Sequence, residues 1–318
     1  MQNPGISRIV SKDGSRKYAF EAGRGLRMEA AFFRVPGRER PNIACVSTQL
    51  GCAVGCPFCA AAQAPLFRNL TDEEIFLQVS SILEDQVSGK ILEEGLEVSF
   101  MGTGEPLANL HNLLGAIHRI HLGFPQISRV SVSTAGPARR IDALTDAMPI
   151  LPPVHLQISL HATTDETRHR LVPGAPDSIA KLLCAGRRFH EKTGDQVYLN
   201  YVLLKGINDS AEDARWLAEL DRDAFYVKIA ALNEVVGIPS HIVGASMKEI
   251  RAFSRRLEDY QLPHKIFVGD GLDVHASCGQ LASVPREIEV LGRWQPRDPR
   301  KQNLSSPETI SRTGAGGR

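Results

Sequence analysis

The stretch CVSTQLGCAVGCPFC, residues 45–59, holds four of the six cysteines of this 318-residue chain. Three of them, Cys52, Cys56 and Cys59, are spaced Cys-x3-Cys-x2-Cys, so one short loop can turn their thiols toward the same place. A structural zinc site normally takes four protein ligands, often as two Cys-x-x-Cys pairs. No second pair occurs in the sequence, and the three thiols therefore indicate a metal site that is one protein ligand short.

Two other kinds of site compete for these cysteines. Cys56-Pro57-Phe58-Cys59 has the form of a thioredoxin-like dithiol, but Cys52 would then have no role, and Ala64-Pro65 weakens the helix expected to follow. Three thiolates suit a 4Fe–4S cluster whose fourth iron is open to a ligand from outside the protein. The three-cysteine spacing is far more specific than a lone Cys-x-x-Cys, so we favour a cluster over zinc or redox chemistry.

Composition sets wide limits on the kind of protein. With 318 residues and 42% hydrophobic content, the chain can bury the core of one large domain or two ordinary ones. The formal net charge of +1 argues neither for nor against a nucleic-acid partner. The sequence shows no leader peptide and no apolar run long enough to cross a bilayer. We therefore expect a cytoplasmic protein with reduced thiols, where clustered cysteines more often mean metal or redox chemistry than disulfides.

Short apolar runs alternate with longer amphipathic runs from residue 43 onward. Before that point, residues 6–11 and 16–21 flank Asp13-Gly14, which predicts a hairpin, and residues 28–35 predict a third strand. The later alternation predicts a parallel sheet with crossover helices. The predicted strands are 43–48, 96–101, 129–134, 154–160, 197–204, 225–231 and 264–268, and the predicted helices are 71–88, 109–122, 138–147, 177–192, 210–221 and 246–260.

Six βα units are too few for a closed eight-fold barrel. They can form an open, partial (βα)6 TIM-like barrel, with a wide mouth at the carboxyl ends of the strands. We therefore predict an α/β fold with a β-hairpin extension over residues 1–40 and the main domain over residues 41–285. Residues 286–318 lose periodicity and gather Arg, Pro, Ser and Gly, which predicts a disordered basic tail.

Glycines and polar residues follow the predicted strands where their carboxyl ends meet. Met101-Gly102-Thr103-Gly104-Glu105-Pro106 follows one strand, where the glycines allow the backbone to approach a ligand and Glu105 can accept from an ammonium group. A single Gly-x-Gly pattern is, by itself, more often an ordinary strand–helix turn. Later strands end in polar groups suited to binding, or equally to capping helices and turns: Ser133, Ser159-Leu160-His161 and Asn233.

Six segments that occur in order between about residues 8 and 285 resemble the RlmN/Cfr family of RNA adenine methyltransferases, a branch of the radical S-adenosylmethionine superfamily. They are residues 45–52, 67–70, 101–106, 133–136, 158–162 and 278–281. The resemblance implies a 4Fe–4S cluster held by Cys52, Cys56 and Cys59, with S-adenosylmethionine filling the open iron. It also implies a set of residues that contact this cofactor: Gly104, Glu105, Ser133, Ser159, Leu160, His161 and Asn233.

The resemblance further implies a reaction that uses two cofactor molecules per turnover. In that family one molecule methylates a cysteine, and the second is reductively cleaved to a radical that removes hydrogen from this methyl group before the carbon adds to adenine. Cys278 matches the methyl-carrying cysteine, and Cys45 matches the thiol that forms a transient disulfide with it. Glu29 matches the general base, with Glu21 as the alternative, although a solvated carboxylate explains Glu29 equally well. Cys184 is predicted to be a buried small hydrophobe.

The same resemblance implies partners. We expect RNA as the substrate, a reductant such as flavodoxin or ferredoxin, a monomer, and no membrane association. Members of the family carry a helical RNA-gripping domain that we expect this protein to lack. The candidate RNA-contacting residues are paired or clustered cations, although dibasic pairs on helices are more often solvated. They are Arg139, Arg140, Arg168, Arg170, Arg187, Arg188, Arg255 and Arg256, with Arg293, Arg297, Arg300 and Lys301 in the tail.

Asn233-Glu234-Val235-Val236-Gly237 departs from the proline- and aromatic-rich loop that the family places near its substrate. Two alternatives therefore stay open. One is the same methyl-cysteine chemistry on a small molecule or natural product. The other is an iron–sulfur binding protein without turnover, against which Cys45 and Cys278 count, because neither ligates a cluster.

Overall fold

The computed structural model describes residues 6–23, 25–35, 37, 41–86, 90–127 and 129–282. Its main feature is a ten-stranded sheet in the order β1-β2-β3-β4-β7-β8-β9-β10-β11-β12, and β5 pairs with β6 in a separate two-stranded sheet. The strands are β1 Ile6–Val10, β2 Arg16–Glu21, β3 Arg27–Arg34, β4 Asn42–Cys45, β5 Gln49–Leu50, β6 Arg68–Asn69, β7 Leu96–Phe100, β8 Arg129–Thr134, β9 Val154–Ser159, β10 Val197–Val202, β11 Phe225–Ala230 and β12 His264–Phe267.

Helices connect the strands and pack on one face of the sheet. The α-helices within the described residues are α1 Asp72–Asp85, α2 Lys90–Glu93, α3 Leu110–Gly123, α4 Ala138–Ala147, α5 Asp165–Leu171, α6 Ile179–Thr193, α7 Ala211–Ala218 and α8 Met247–Asp259. Short 3-10 helices span Ala60–Gln63, Pro106–Asn109, Met148–Ile150 and Leu272–Val274. Within this part of the chain, no helix is long and apolar enough to cross a membrane.

From β4 to β12 the neighbouring strands are parallel. A helix follows each strand before the next begins, as expected for right-handed βα crossovers. In the described residues β1 and β12 occupy opposite edges of the sheet and do not pair, so the barrel stays open. This arrangement confirms the predicted α/β fold with a partial TIM-like barrel.

Side chains alternate between a helix-facing core and the inside of the barrel. On β8, Val130 and Val132 belong to the main hydrophobic core, whereas Ser131 and Ser133 point the other way. On β11, Val227 packs in the same core, and the residue that follows it is a lysine. The outer face therefore supplies the stability of the fold, and the inner face is left for polar groups.

The first three strands extend the barrel sheet. β3 pairs antiparallel with β4, which places Ala31 opposite Cys45. The predicted Asp13-Gly14 turn joins β1 to β2, and one carboxylate oxygen of Asp13 accepts from the backbone N–H of Gly271 at 2.7 Å. Ser11 also donates to Asp273. The hairpin thus holds the segment that leads to Cys278.

The structure differs from the prediction at several element boundaries. The strand predicted over 43–48 ends at Cys45, because the Ser47 backbone N–H leaves the sheet and donates to the Gln78 side chain at 2.9 Å. Helix α5 was not predicted, since its sequence DETRHRL has no apolar periodicity. Its first turn is capped by Thr164. The predicted tail over 286–318 lies outside the described residues.

Candidate active site

A cavity opens at the carboxyl ends of the parallel strands. This is the end of a βα barrel at which ligands bind. Among the predicted site residues, those that line it are Cys52, Cys56, Cys59, Gly104, Glu105, Ser133, Ser159, His161, Asn233 and Cys278. Three other predicted site residues, Cys45, Glu29 and Leu160, are buried and do not belong to its lining.

The cysteine loop rests on a small hydrophobic cluster. Val54 and Phe58 pack there with Leu171 and Val172, and the three cysteines lie against it. The backbone N–H of Gly174 donates to the Val54 carbonyl at 2.7 Å. These contacts come from the segment after β9, so the loop is held in place from a neighbouring strand end.

Burial raises the pKa of all three loop thiols. For Cys52 the pKa rises to about 12, and the charges of Cys59 and Glu105 add to the effect of burial. For Cys56, the charges of Cys59 and Cys52 likewise add to burial in raising the pKa. The thiols influence one another because they lie close together. Binding a metal centre here therefore has to displace protons from the cysteines.

Three thiols face one cavity, one fewer than the four protein ligands of a structural zinc site. A 4Fe–4S cluster binds each cysteine to a different iron and can leave its fourth iron open to a ligand from outside the protein. The three cysteines around one cavity fit the cluster.

Glu105 is held by a set of short hydrogen bonds at the end of β7. Its carboxylate accepts from the Thr134 hydroxyl at 2.6 Å and from the backbone N–H groups of Ala135 and Leu107 at 2.8 and 3.0 Å. Burial raises its pKa to about 7, although these donors act in the opposite direction. Glu105 is therefore oriented and can change its charge near neutral pH.

His161 supports the cysteine loop as a neutral ring. Burial, reinforced by the charge of Arg168, lowers its pKa to about 3. Its Nδ1 accepts from the backbone N–H of Val202 at 3.1 Å, and its ring meets Phe58 edge to face at 5.3 Å. Because Phe58 lies between Cys56 and Cys59, His161 links β9 to the cluster loop.

Arg168 is buried, which contradicts its prediction as an RNA-contacting residue. It is 1% exposed. Its guanidinium donates to the carbonyls of Ala135 at 2.7 Å and Ser159 at 3.1 Å, and also to Ala175 and Asp177. Arg168 thus joins the ends of β8 and β9 to the segment that carries Gly174. No sequence pattern predicts this burial, because the partners of Arg168 are backbone carbonyls.

The segment around Cys278 is held from several sides. The backbone N–H of Ala60, next to the last loop cysteine, donates to the Gly279 carbonyl at 2.7 Å. The Asn233 side chain donates to the Cys278 carbonyl at 2.9 Å and to the Ser277 hydroxyl at 3.2 Å. Asn233, predicted to contact the cofactor, therefore also positions Cys278.

Cys45 packs with Ala276 and Leu281, which flank the Cys278 segment, and no bond joins the two sulfurs. All six cysteines of the chain are free in the structure. Burial raises the pKa of Cys45 well above its ordinary value, and the charge of Cys278 acts in the same direction. The charge of Cys278 also raises the pKa of Cys59. The structure therefore brings together two thiols that are separated by more than two hundred residues in sequence.

Glu29 lies behind the Cys278 segment. Its carboxylate forms an ion pair with Lys17 at 2.9 Å and accepts from the Ala282 backbone N–H at 2.8 Å. Burial raises its pKa, opposed by Lys17. The solvated carboxylate considered from sequence is thus wrong for Glu29. Glu21, the alternative base, ends β2 on the exposed surface.

The prediction that Cys184 is buried is wrong. Cys184 is exposed on α6, where it accepts from Arg188 at 2.9 Å, because Leu182, Ala185 and Phe189 form the buried stripe of that helix. Sequence reasoning also missed three inward residues that line the cavity, Asn200, Lys228 and Phe267. Lys228 could have been found from the sequence, because it is a lysine between apolar residues of a parallel strand.

Comparison with known proteins agrees with this geometry. A model of the radical SAM superfamily matches residues 46–218. A protein of Moorella thermoacetica named "Probable dual-specificity RNA methyltransferase RlmN" is 36% identical over 89% of this chain and 80% of its own length. A protein of Thermus thermophilus with the same name is 38% identical over 90% of this chain and 79% of its own length. The chain belongs to the RlmN family of the radical SAM superfamily.

A solved structure supports the assignment. A radical SAM methyltransferase from Sphaerobacter thermophilus superposes with a TM-score of 0.76 at 31% identity, covering 87% of this chain and 81% of that protein. The RlmN-family chain is accordingly a radical SAM methyltransferase, and it uses a 4Fe–4S cluster and S-adenosylmethionine. Its residues fit both groups, since three thiols share one wall of the cavity and the oriented Glu105 can receive an ammonium.

Gly174→Ala should reduce cluster incorporation. A Cβ at Gly174 would lie 2.5 Å from Val54 Cα and 2.7 Å from the Ala53 and Val54 carbonyl oxygens, which are backbone atoms of the cluster loop. We expect about 1–3 kcal/mol of destabilisation. Iron and sulfide per protein after reconstitution should fall. In the control Gly115→Ala, the atoms nearest to the new Cβ belong to the Asp72 side chain, the first of them at 3.1 Å. Wild-type iron content in Gly174→Ala would contradict the expectation.

Binding of S-adenosylmethionine should weaken as pH falls. A carboxylate accepts an ammonium when ionised, and the pKa of Glu105 is raised to about 7. Lowering the pH from about 8 to about 6 protonates Glu105 and should reduce affinity roughly tenfold. Equilibrium dialysis with labelled cofactor measures this directly. Glu105→Gln should bind weakly with a flat profile, and a flat wild-type profile would exclude Glu105 as the amine ligand.

Proposed function

We propose that this protein methylates an adenine ring carbon in RNA through a methyl group carried by Cys278. One observation carries the proposal. Cys278 lines the same cavity as Cys52, Cys56 and Cys59, while Cys45 is buried close enough for the two thiols to influence one another. Names of the relatives support RNA as the substrate, since those proteins are called RNA methyltransferases.

Different residues of the chain have different roles around the cofactor. The 4Fe–4S cluster and S-adenosylmethionine, when bound, supply the methyl group and the radical chemistry that an electron-poor ring carbon requires. Cys52, Cys56 and Cys59 hold the cluster, and Glu105 orients the amine of the cofactor. Ser133, Ser159 and Asn233 offer hydrogen bonds to its remaining polar groups, because they line the same cavity. Cys278 presents its sulfur to the same cavity from the segment that follows β12.

Cys45 detaches the product from the protein. Its sulfur attacks the Cys278 sulfur, so the S–S bond forms as the bond between Cys278 and the transferred carbon breaks. The carbon keeps the bonding electron pair and takes up the proton that the Cys45 thiol releases, which gives the methyl group. Burial raises the pKa of Cys45 and so favours the protonated thiol in the resting enzyme. A small electron-transfer protein such as flavodoxin or ferredoxin supplies the electron for reductive cleavage of the cofactor, and a separate two-electron thiol reductant restores the Cys45 and Cys278 thiols. Glu29 is the proposed proton acceptor beside this segment.

RNA composition tests the substrate. Total RNA from cells with and without the protein should differ in one C-methylated adenosine, because the reaction adds a methyl group to a ring carbon. Mass spectrometry of nucleosides from digested RNA measures the difference. If the profile is unchanged while Cys278 still becomes methylated in the purified protein, the substrate is a small molecule and not RNA. Cys278 that never gains a methyl group would exclude the mechanism itself.

Cys45→Ala should trap the reaction before product release. Without the second thiol the carbon stays bonded to Cys278, so a covalent protein–RNA adduct should accumulate while free methylated product falls by orders of magnitude. A denaturing gel and peptide mass spectrometry at Cys278 detect the adduct. Cys184→Ala removes an exposed cysteine on α6 and serves as the matched control. Equal turnover of Cys45→Ala and Cys184→Ala would remove Cys45 from the mechanism.

A further inference from the structure

Lys228 is, within the described part of the chain, the single lysine or arginine on the cavity wall. It lies in the middle of β11 with 9% of its surface exposed. Its ammonium lies beside the ring of Phe267, another residue of this wall. A cation held on the inner face of the barrel is placed to donate a hydrogen bond to a ligand in the cavity.

The direction of the Lys228 side chain follows from its neighbour. Lys228 is in register with Lys265 on β12, and like charges on adjacent strands repel. The Lys265 ammonium lies 4.5 Å from the ring centre of Tyr198 and 5.9 Å from that of Tyr226, near the amino ends of their strands. The Lys228 ammonium lies 4.2 Å from the ring centre of Phe267, two residues beyond Lys265. The two charges diverge, and that of Lys228 is directed toward the cavity.

The wall that carries Lys228 lies away from the proposed amine site of the cofactor. Glu105 follows β7, and β8, β9 and β10 stand between that strand and β11. Lys228 shares its wall with Phe267 and with Asn233, whose side chain donates to the Cys278 carbonyl. Its charge also opposes the rise in the pKa of Cys45. Lys228 therefore belongs to the end of the cavity that Cys278 lines.

We propose that Lys228 contacts the substrate, and that its ammonium donates a hydrogen bond to a ring nitrogen of the target purine. This inference rests on the proposed function and names a specificity-determining contact for it. As the transferred carbon bonds to the amidine carbon of the ring, electron density shifts to the adjacent nitrogen. A fixed ammonium stabilises that density and selects rings with an acceptor at this position. Phe267 beside it offers an apolar surface to the same ring.

Lys228→Met tests the contact, with Lys265→Met as the matched control. Lys265 is the register partner of Lys228, but its ammonium is directed away from the cavity. Two quantities are measured for each reconstituted variant. They are the fraction of Cys278 methylated by S-adenosylmethionine, and the methyladenosine formed in RNA purified from cells that lack the protein.

Lys228→Met should keep Cys278 methylation near wild type and lose RNA methylation by about 10- to 100-fold, the size of a hydrogen bond to a charged group. Lys228→Arg should recover part of the RNA methylation, because it keeps the charge. Lys265→Met should match wild type in both measurements. Thermal unfolding shows whether each variant folds, and Lys228→Gln replaces Lys228→Met if the methionine variant does not.

Three outcomes overturn the inference. Wild-type RNA methylation in Lys228→Met excludes the contact. Loss of Cys278 methylation in that variant, with weaker cofactor binding, places Lys228 on the cofactor instead. If the wild-type protein methylates Cys278 but no RNA, the proposed function fails and the purine contact fails with it, which separates this case from the first.

Discussion

A single backbone hydrogen bond joins the two halves of the proposed chemistry. The Ala60 N–H donates to the Gly279 carbonyl at 2.7 Å, so the residue after the last cluster cysteine is tied to the residue after Cys278. Both partners are backbone groups, so replacing a side chain does not remove the bond directly. The bond forms only when both loops are in place. Asn233 bonds the same segment from β11, and the β1–β2 turn bonds it at Gly271. The reacting cysteines are therefore positioned by the whole barrel mouth.

Burial then decides how these groups are charged. The three loop thiols and Cys45 all have raised pKa values, whereas His161 is held neutral. Near them the cavity keeps few charges, among them Glu105 on one wall and Lys228 on another. Charges act over longer distances where water is excluded. A cavity of this kind distinguishes ligands by where they carry an amine, an acceptor or an apolar face.

The sequence predicted the parts of this protein that follow local rules. The alternation of strands and helices, the Asp13-Gly14 hairpin and the cluster spacing are each read within a few tens of residues. It did not predict Arg168 as a buried residue, because its four carbonyl partners come from three separate segments. Nor did it place Cys184 outward, since a one-residue shift around a helix turns a buried position into an exposed one.

The polar inner face explains why such a fold can host this chemistry. A closed barrel fills its interior with layers of branched side chains, which leaves room for ligands only at the loops. Here the open sheet places Ser133, Asn200 and Lys228 along inward positions, and Ser131 donates to Glu97 at 2.6 Å deeper inside. The helices on the outer face bury the apolar residues of the same strands. Stability and binding thus use opposite faces of each strand, so one can change without destroying the other.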